Sequence, residues 1–173
     1  MIIPEVTASV MYYYSNSKAR VNPFIGFTVF HLTEPNETFY TNENYLPRRF
    51  ATHFGAKVNL SDKIQICPKF LYMNQGNVSE IDLSFVGNYF LVNNDAWVFF
   101  EPIYRLFKIK DFNSNDALVF LGGLKYGNFT YQVSYDINIS TLNSISSGRG
   151  GFELSVTYQI NDMKFPPPAC PRL

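Results

Sequence analysis

Along much of the chain, apolar and polar side chains alternate one for one. "FATHFGAKVNL" puts Phe50, Thr52, Phe54, Ala56, Val58 and Leu60 on one face, with Ala51, His53, Gly55, Lys57 and Asn59 on the other. "NFTYQVSYDI" puts Phe129, Tyr131, Val133, Tyr135 and Ile137 against Thr130, Gln132, Ser134 and Asp136. "GFELSVTYQI" sets Phe152, Leu154, Val156, Tyr158 and Ile160 against Glu153, Ser155, Thr157 and Gln159. Successive side chains of a strand point to opposite sides, so each segment has one apolar and one polar face. Weaker forms of the pattern recur. They predict nine strands, at about 5–14, 21–32, 50–60, 63–73, 78–91, 96–106, 117–126, 128–138 and 151–160. Turn-forming clusters such as "SNSK", "NLSDK", "NQGN", "VNND", "YGN" and "SSGRGG" separate them. No stretch sustains a 3.6-residue period, so the predicted class is all-β, antiparallel and hairpin-linked.

Two all-β designs use such alternation. A soluble sandwich or lipid-binding barrel turns its apolar face inward. An outer-membrane barrel turns it toward lipid and lines its lumen with the polar face. Strands of 10 to 12 residues suit a tilted membrane strand better than a soluble sheet, where about 5–6 is usual. The apolar faces carry aromatics at both ends (Phe129 and Tyr135, Phe152 and Tyr158), as girdles at two membrane interfaces would require. The polar faces hold Gly55, Ser134, Ser155 and Thr157, which suit a lumen wall better than a bulk-water surface. The membrane design is favoured.

Composition narrows the function. In 173 residues, aromatics make up 17 %, with 17 Phe and 12 Tyr against one Trp, which favours strands. Lys plus Arg equals Asp plus Glu, 14 each, so no global field points to nucleic acid. No run of 18 apolar residues marks a transmembrane helix. Cys67 and Cys170 make neither a disulfide framework nor a metal cluster. "MIIPEVTASVMYYY" is not a signal peptide. Five Asn-x-Ser/Thr triplets, at Asn36, Asn59, Asn77, Asn128 and Asn138, read as chance in an Asn-rich chain. No phosphate loop, nucleophile elbow or metalloprotease motif occurs. The chain reads as a non-enzyme without a cofactor.

A few residues invite sharper readings. Arg48 and Arg49 in "LPRRF" could hold a phosphate, a headgroup or an acidic partner. The favoured reading is that they mark where a strand enters the membrane, stems along lipid and heads in water, with Pro47 as a strand-start residue. His31 and His53 lack a third ligand at recognisable spacing and read as ordinary hydrogen-bonded residues. Asp136 and Glu153 share the polar faces of successive strands and could be paired carboxylates. Segment 107–116, "FKIKDFNSND", is predicted as a longer loop, and 33–47 as the longest irregular region. Segment 161–173 is a proline-rich tail after a barrel spanning 1–160.

An ordered set of motifs gives the pattern a family likeness. "HLTEP" followed by Phe39, then "YLPRRF", "NQG", "YDINIS" and "GGFELSVTY" together resemble the PorP/SprF family of outer-membrane proteins of the type IX secretion system. The resemblance implies an outer-membrane β-barrel that secretes large adhesins, or retains them at the surface, in gliding-related export. The mechanism it implies is binding and scaffolding. It implies as partners the outer-membrane lipid, an adhesin with a C-terminal sorting domain, a periplasmic peptidoglycan-binding lipoprotein and other type IX components. Beside this likeness, Asp136 and Glu153 read as members of a structural lumen network that meets a cation such as Arg105 or Lys57, in preference to a catalytic pair. Compared with the family, the chain looks like a C-terminal portion, an incomplete barrel of about 8–9 strands. An odd strand count agrees, because single-chain bacterial barrels have even numbers. A passive porin-like channel and a soluble lipid-binding barrel are the alternative functions.

Overall fold

The alternation becomes nine consecutive strands in a computed structural model that describes residues 5–16, 18–36, 45–91, 96–109, 112–140 and 150–160. They are β1 (Ala8–Tyr13), β2 (Val21–Phe30), β3 (Arg49–Asn59), β4 (Ile64–Gln75), β5 (Val78–Leu91), β6 (Ala96–Ile109), β7 (Phe112–Tyr126), β8 (Phe129–Asn138) and β9 (Phe152–Tyr158). Each pairs antiparallel with its sequence neighbour, in the order β1 to β9. The sheet is therefore a single up-and-down meander. It is open, since among the described residues β1 bonds only β2 and β9 bonds only β8.

The strands lie where the periodicity places them, with one correction. Segment 107–116 is not a loop. β6 runs on to Ile109 and β7 starts at Phe112, with Phe107 to Ile109 and Phe112 to Asn115 all in the ladder. A ladder is bonded through the backbone, so polar side chains at a protruding hairpin end do not interrupt it. The irregularity falls between Arg105 and Leu106, where Ala117 and Asn115 are the successive partners and Asp116 is left over. Such a one-residue bulge bends a strand and raises its local twist. In the 33–47 region, Asn36 bridges Tyr45; the residues between them, the tail from 161 and most of the 139–151 connection lie outside the described residues.

Two connections need glycine. Gly76 and Gly127 open the tight β4–β5 and β7–β8 turns with φ of 56° and 53°, a left-handed conformation that costs glycine nothing.

Among the described residues the sheet has no conventional core. The buried apolar residues are Phe24, Ala51, Cys67, Ala96 and Ala117, while large side chains such as Phe54, Phe85, Tyr89, Phe100 and Tyr131 stay exposed. Register puts the exposed set on one face. The opposite face encloses a trough lined from Lys57 on β3 to Gln159 just past β9, so it is the concave one. Three of its cross-strand pairs set a ring against a glycine: Phe24 with Gly55, His53 with Gly26, and Phe99 with Gly123. The ring covers the bare Cα and lets the sheet curl tightly.

Outward residues of β5 run from Ile81 to Leu91, about 33 Å along a strand. A tilt of about 40° reduces this to about 25 Å, the height of the apolar band of a membrane barrel. At one end of β8 and β9, Phe129 packs on Tyr158 at 4.8 Å between ring centroids. At the other, Tyr135 stands opposite Phe152. The predicted aromatic girdles are thus cross-strand pairs.

Candidate functional site

The polar faces of the strands converge on the concave side, and there the chemistry collects. The trough has a volume of about 680 Å³ and is lined by lysines (57, 69 and 125), Glu101, amides such as Gln65, Asn88 and Gln132, the rings of Trp97 and Phe99, and the aliphatic side chains of Val86, Ile103 and Leu121. The period-2 pattern alone puts these side chains there, because each is in phase with its strand's inward residues.

Two ion-pair groups cross this wall. The Lys69 ammonium lies 2.7 Å from the Glu101 carboxylate. They stand on β4 and β6, so the contact passes over β5. It does so because Ser84, directly opposite both Lys69 and Ile103, is small enough to be bridged. Both ends are largely shielded, 20 % and 12 % exposed. Charges out of water in this way need each other, since removing one leaves the other desolvated and unpaired.

The second group lies further along. Arg105 Nε is 3.3 Å from Asp82 Oδ1 and 3.4 Å from Glu80 Oε1. Asp82 is the register partner of Arg105, and it accepts a hydrogen bond from Nε. This corrects the expected network. Asp136 and Glu153 do lie in phase with the polar face, opposite Val119 and Ser134 respectively. Arg105, however, stands on β6, two strands away from Asp136 on β8, and is held by carboxylates of β5. The phase of Glu80, Asp82 and Ser84 was readable in "VSEIDLSF"; their partner was not.

The other candidates separate. Arg48 and Arg49 do not act together. Arg48 is half exposed, donating from Nε to the Leu32 carbonyl at 3.3 Å and lying 3.7 Å from Glu34. Arg49 turns to the concave side, its guanidinium 5.6 Å from the Phe30 ring centre and bonded to the Met73 sulfur. Its stem therefore does not lie along the outer face as expected, because position 49 is in phase with Ala51 and His53. Pro47 sits two residues before the strand and accepts a hydrogen bond from Gln75 Nε2 at 3.1 Å.

His31 follows β2 at φ 57°, with Nδ1 3.0 Å from Glu5. His53 stands opposite Gly26, five positions along β2 and so about 16 Å away. Its Nε2 is shielded and, like His31 Nδ1, has no well-aligned hydrogen-bond partner among the described residues, which corrects the expectation of ordinary bonded histidines. Among the described residues no three His, Cys, Asp or Glu side chains group as a metal site. Cys67 is a free, buried thiol on the concave face; Cys170 lies outside the described residues.

The arrangement can line a water-filled passage or hold a polar segment. A family model described as type IX secretion system membrane protein PorP/SprF matches residues 1–158. No curated protein and no solved structure matches the chain.

Proposed function

Since the chain belongs to the PorP/SprF family of type IX secretion system membrane proteins, we propose that it works in the outer membrane, as β-barrel wall in the export machinery. Residues 1–160 form the barrel part and 161–173 a proline-rich tail on its periplasmic side. The role is to help secrete large adhesins, or retain them at the surface, by binding and scaffolding. Adhesins with a C-terminal sorting domain, a periplasmic peptidoglycan-binding lipoprotein and other type IX components are the proposed partners. The observation that carries this reading is the sheet's polarity: exposed Phe85, Phe100, Tyr131 and Leu154 on the convex face, charged and amide side chains on the concave one. A soluble lipid-binding barrel needs the reverse.

Deleting the gene and following surface adhesin tests it. Loss of adhesin from the surface, restored by the wild-type gene, is expected. Normal surface adhesin together with bilayer conductance by the purified protein would favour the second reading, a passive channel, for which the polar trough is the supporting observation.

A further inference from the structure

The trough carries more positive charge than its own walls neutralise. Three lysines and one carboxylate line it, an excess of two positive charges. Glu101 is taken by Lys69 at 2.7 Å, so the excess sits on Lys57 of β3 and Lys125 of β7. Lys57 makes no ion pair or hydrogen bond among the described residues. Between the two cations lies a floor of rings. Trp97 and Phe99 are alternate residues of β6, so both face the trough, about 7 Å apart along the strand. Both are half-buried and held in place. Trp97 packs on Phe90 with 4.9 Å between ring centroids, and Phe99 lies over Gly123. Their register partners flank them with polar groups. Lys125 stands opposite Trp97, and Asn88 opposite Phe99. Gln132 follows on β8, across Gly123. The amides of Asn88 and Gln132 make no hydrogen bond among the described residues, so donor and acceptor of each can serve a ligand.

We propose that the trough binds an acidic oligosaccharide, with its sugar rings on Trp97 and Phe99 and its carboxylates on Lys57 and Lys125. Each part of the floor matches a part of such a ligand. The C–H face of a sugar ring suits the electron-rich face of an aromatic ring. Hydroxyls at the sugar's edge pair with amides, which both donate and accept. Carboxylates take charge-assisted hydrogen bonds from the lysines. The spacing asks for more than one charge. β3 and β7 are four strands apart, about 19 Å around the curved sheet. A single phosphate-sized anion cannot meet both lysines, whereas a chain with an acid group on successive sugars can. The volume of about 680 Å³ falls within the range of about 300–1,000 Å³ usual for small-ligand sites. Two other anions fit less well. A nucleotide's phosphates are cradled by open backbone N–H groups. Strands β4 to β8 are paired on both sides, so theirs are taken up by the ladder. An acidic peptide held through its backbone needs a sheet edge, which these strands lack for the same reason. The site stands on the geometry of the concave face and holds under either reading of the function above.

Trp97 is the only tryptophan of the chain, so its fluorescence reports from the floor of the trough. The full chain, folded in detergent micelles, is titrated with trigalacturonate, neutral galactotriose, hexaglutamate and ATP. Trigalacturonate is expected to change the emission saturably and to bind at least about tenfold more tightly than galactotriose, as one or more charge-assisted hydrogen bonds would give. Lys57→Gln and Lys125→Gln should each weaken it by about tenfold, for the same reason. Lys63→Gln, in the exposed β3–β4 turn outside the trough, should leave it unchanged. Heat-sensitive gel mobility shows which variants have folded. Salt supplies a measurement on the unsubstituted protein alone, since raising it should weaken trigalacturonate and leave galactotriose as it was. The proposal is overturned if trigalacturonate gives no saturable change, or if galactotriose binds as tightly. Tighter binding of hexaglutamate or ATP overturns it too, in favour of a peptide or a nucleotide. So does unchanged affinity in a folded Lys57→Gln variant.

Discussion

Gly55 has no room for a side chain. A Cβ there would stand 2.6 Å from the Pro68 carbonyl oxygen and 2.6 Å from Cζ of Phe24. The carbonyl belongs to a strand and cannot swing away. Gly55→Ala should therefore destabilise the folded protein by about 1–3 kcal/mol, the usual range for overpacking. Gly87 is the control, since its nearest atom would be the Phe100 carbonyl oxygen at 3.9 Å. Gly87→Ala should stay within about 0.5 kcal/mol of wild type. Urea unfolding in detergent micelles, followed by gel mobility, reads both; equal effects would count against the ring-over-glycine packing. Arg105 makes a different prediction. Arg105→Ala leaves Glu80 and Asp82 facing a shared gap on the concave wall, each shielded to 25 % and 16 % exposure. Loss of a charged hydrogen bond at such a place costs about 1–3 kcal/mol. Adding Asp82→Asn to Arg105→Ala should recover part of it, because the repulsion then disappears. If the double variant is less stable than the single one, the carboxylates are not what Arg105 restrains.

At the scale of a strand, one residue step separates lipid from lumen. Val133 and Gln132 are neighbours on β8. Val133 is exposed on the convex face beside Leu154, and Gln132 lines the trough. An arginine on the lipid face near the bilayer midplane costs about 2–4 kcal/mol. Val133→Arg should lose that much stability in lipid vesicles, and Gln132→Arg should change it by less than about 0.5 kcal/mol. Equal losses would mean that the faces are wrongly assigned. The assignment of faces was legible in the sequence, because in "NFTYQVSYDI" a slip of one residue would flip every side chain. The pairing of charges was not. A slip of two residues keeps every face and re-pairs every charge. Lys69 with Glu101, across Ser84, and Arg105 with Asp82, one strand away, depend on registers that alternation cannot fix. The 107–116 hairpin is hidden from the pattern for a related reason. Lys108, Asn113 and Asn115 break the apolar phase while the backbone ladder continues through them.

For the whole molecule, the connections give the direction. At one end of the sheet lie 14–20, 60–63 and 127–128, none longer than seven residues; at the other lie the two long connections, 31–48 and 139–151, together with the tight 76–77 turn. The long β6–β7 hairpin projects at that second end as well. Outer-membrane barrels keep short turns in the periplasm and long loops outside. A chain inserted in that sense has Glu34 outside and Asp62 in the periplasm. In a Cys67→Ser, Cys170→Ser background, Glu34→Cys should react with a membrane-impermeant maleimide in intact cells. Asp62→Cys should react only after the outer membrane is opened. Both side chains are exposed, so access decides the outcome. Labelling of Asp62→Cys alone in intact cells would invert the molecule. The tail after Ile160 would then emerge at the surface, and the bulged, projecting end that carries Arg105 would face the periplasmic partners.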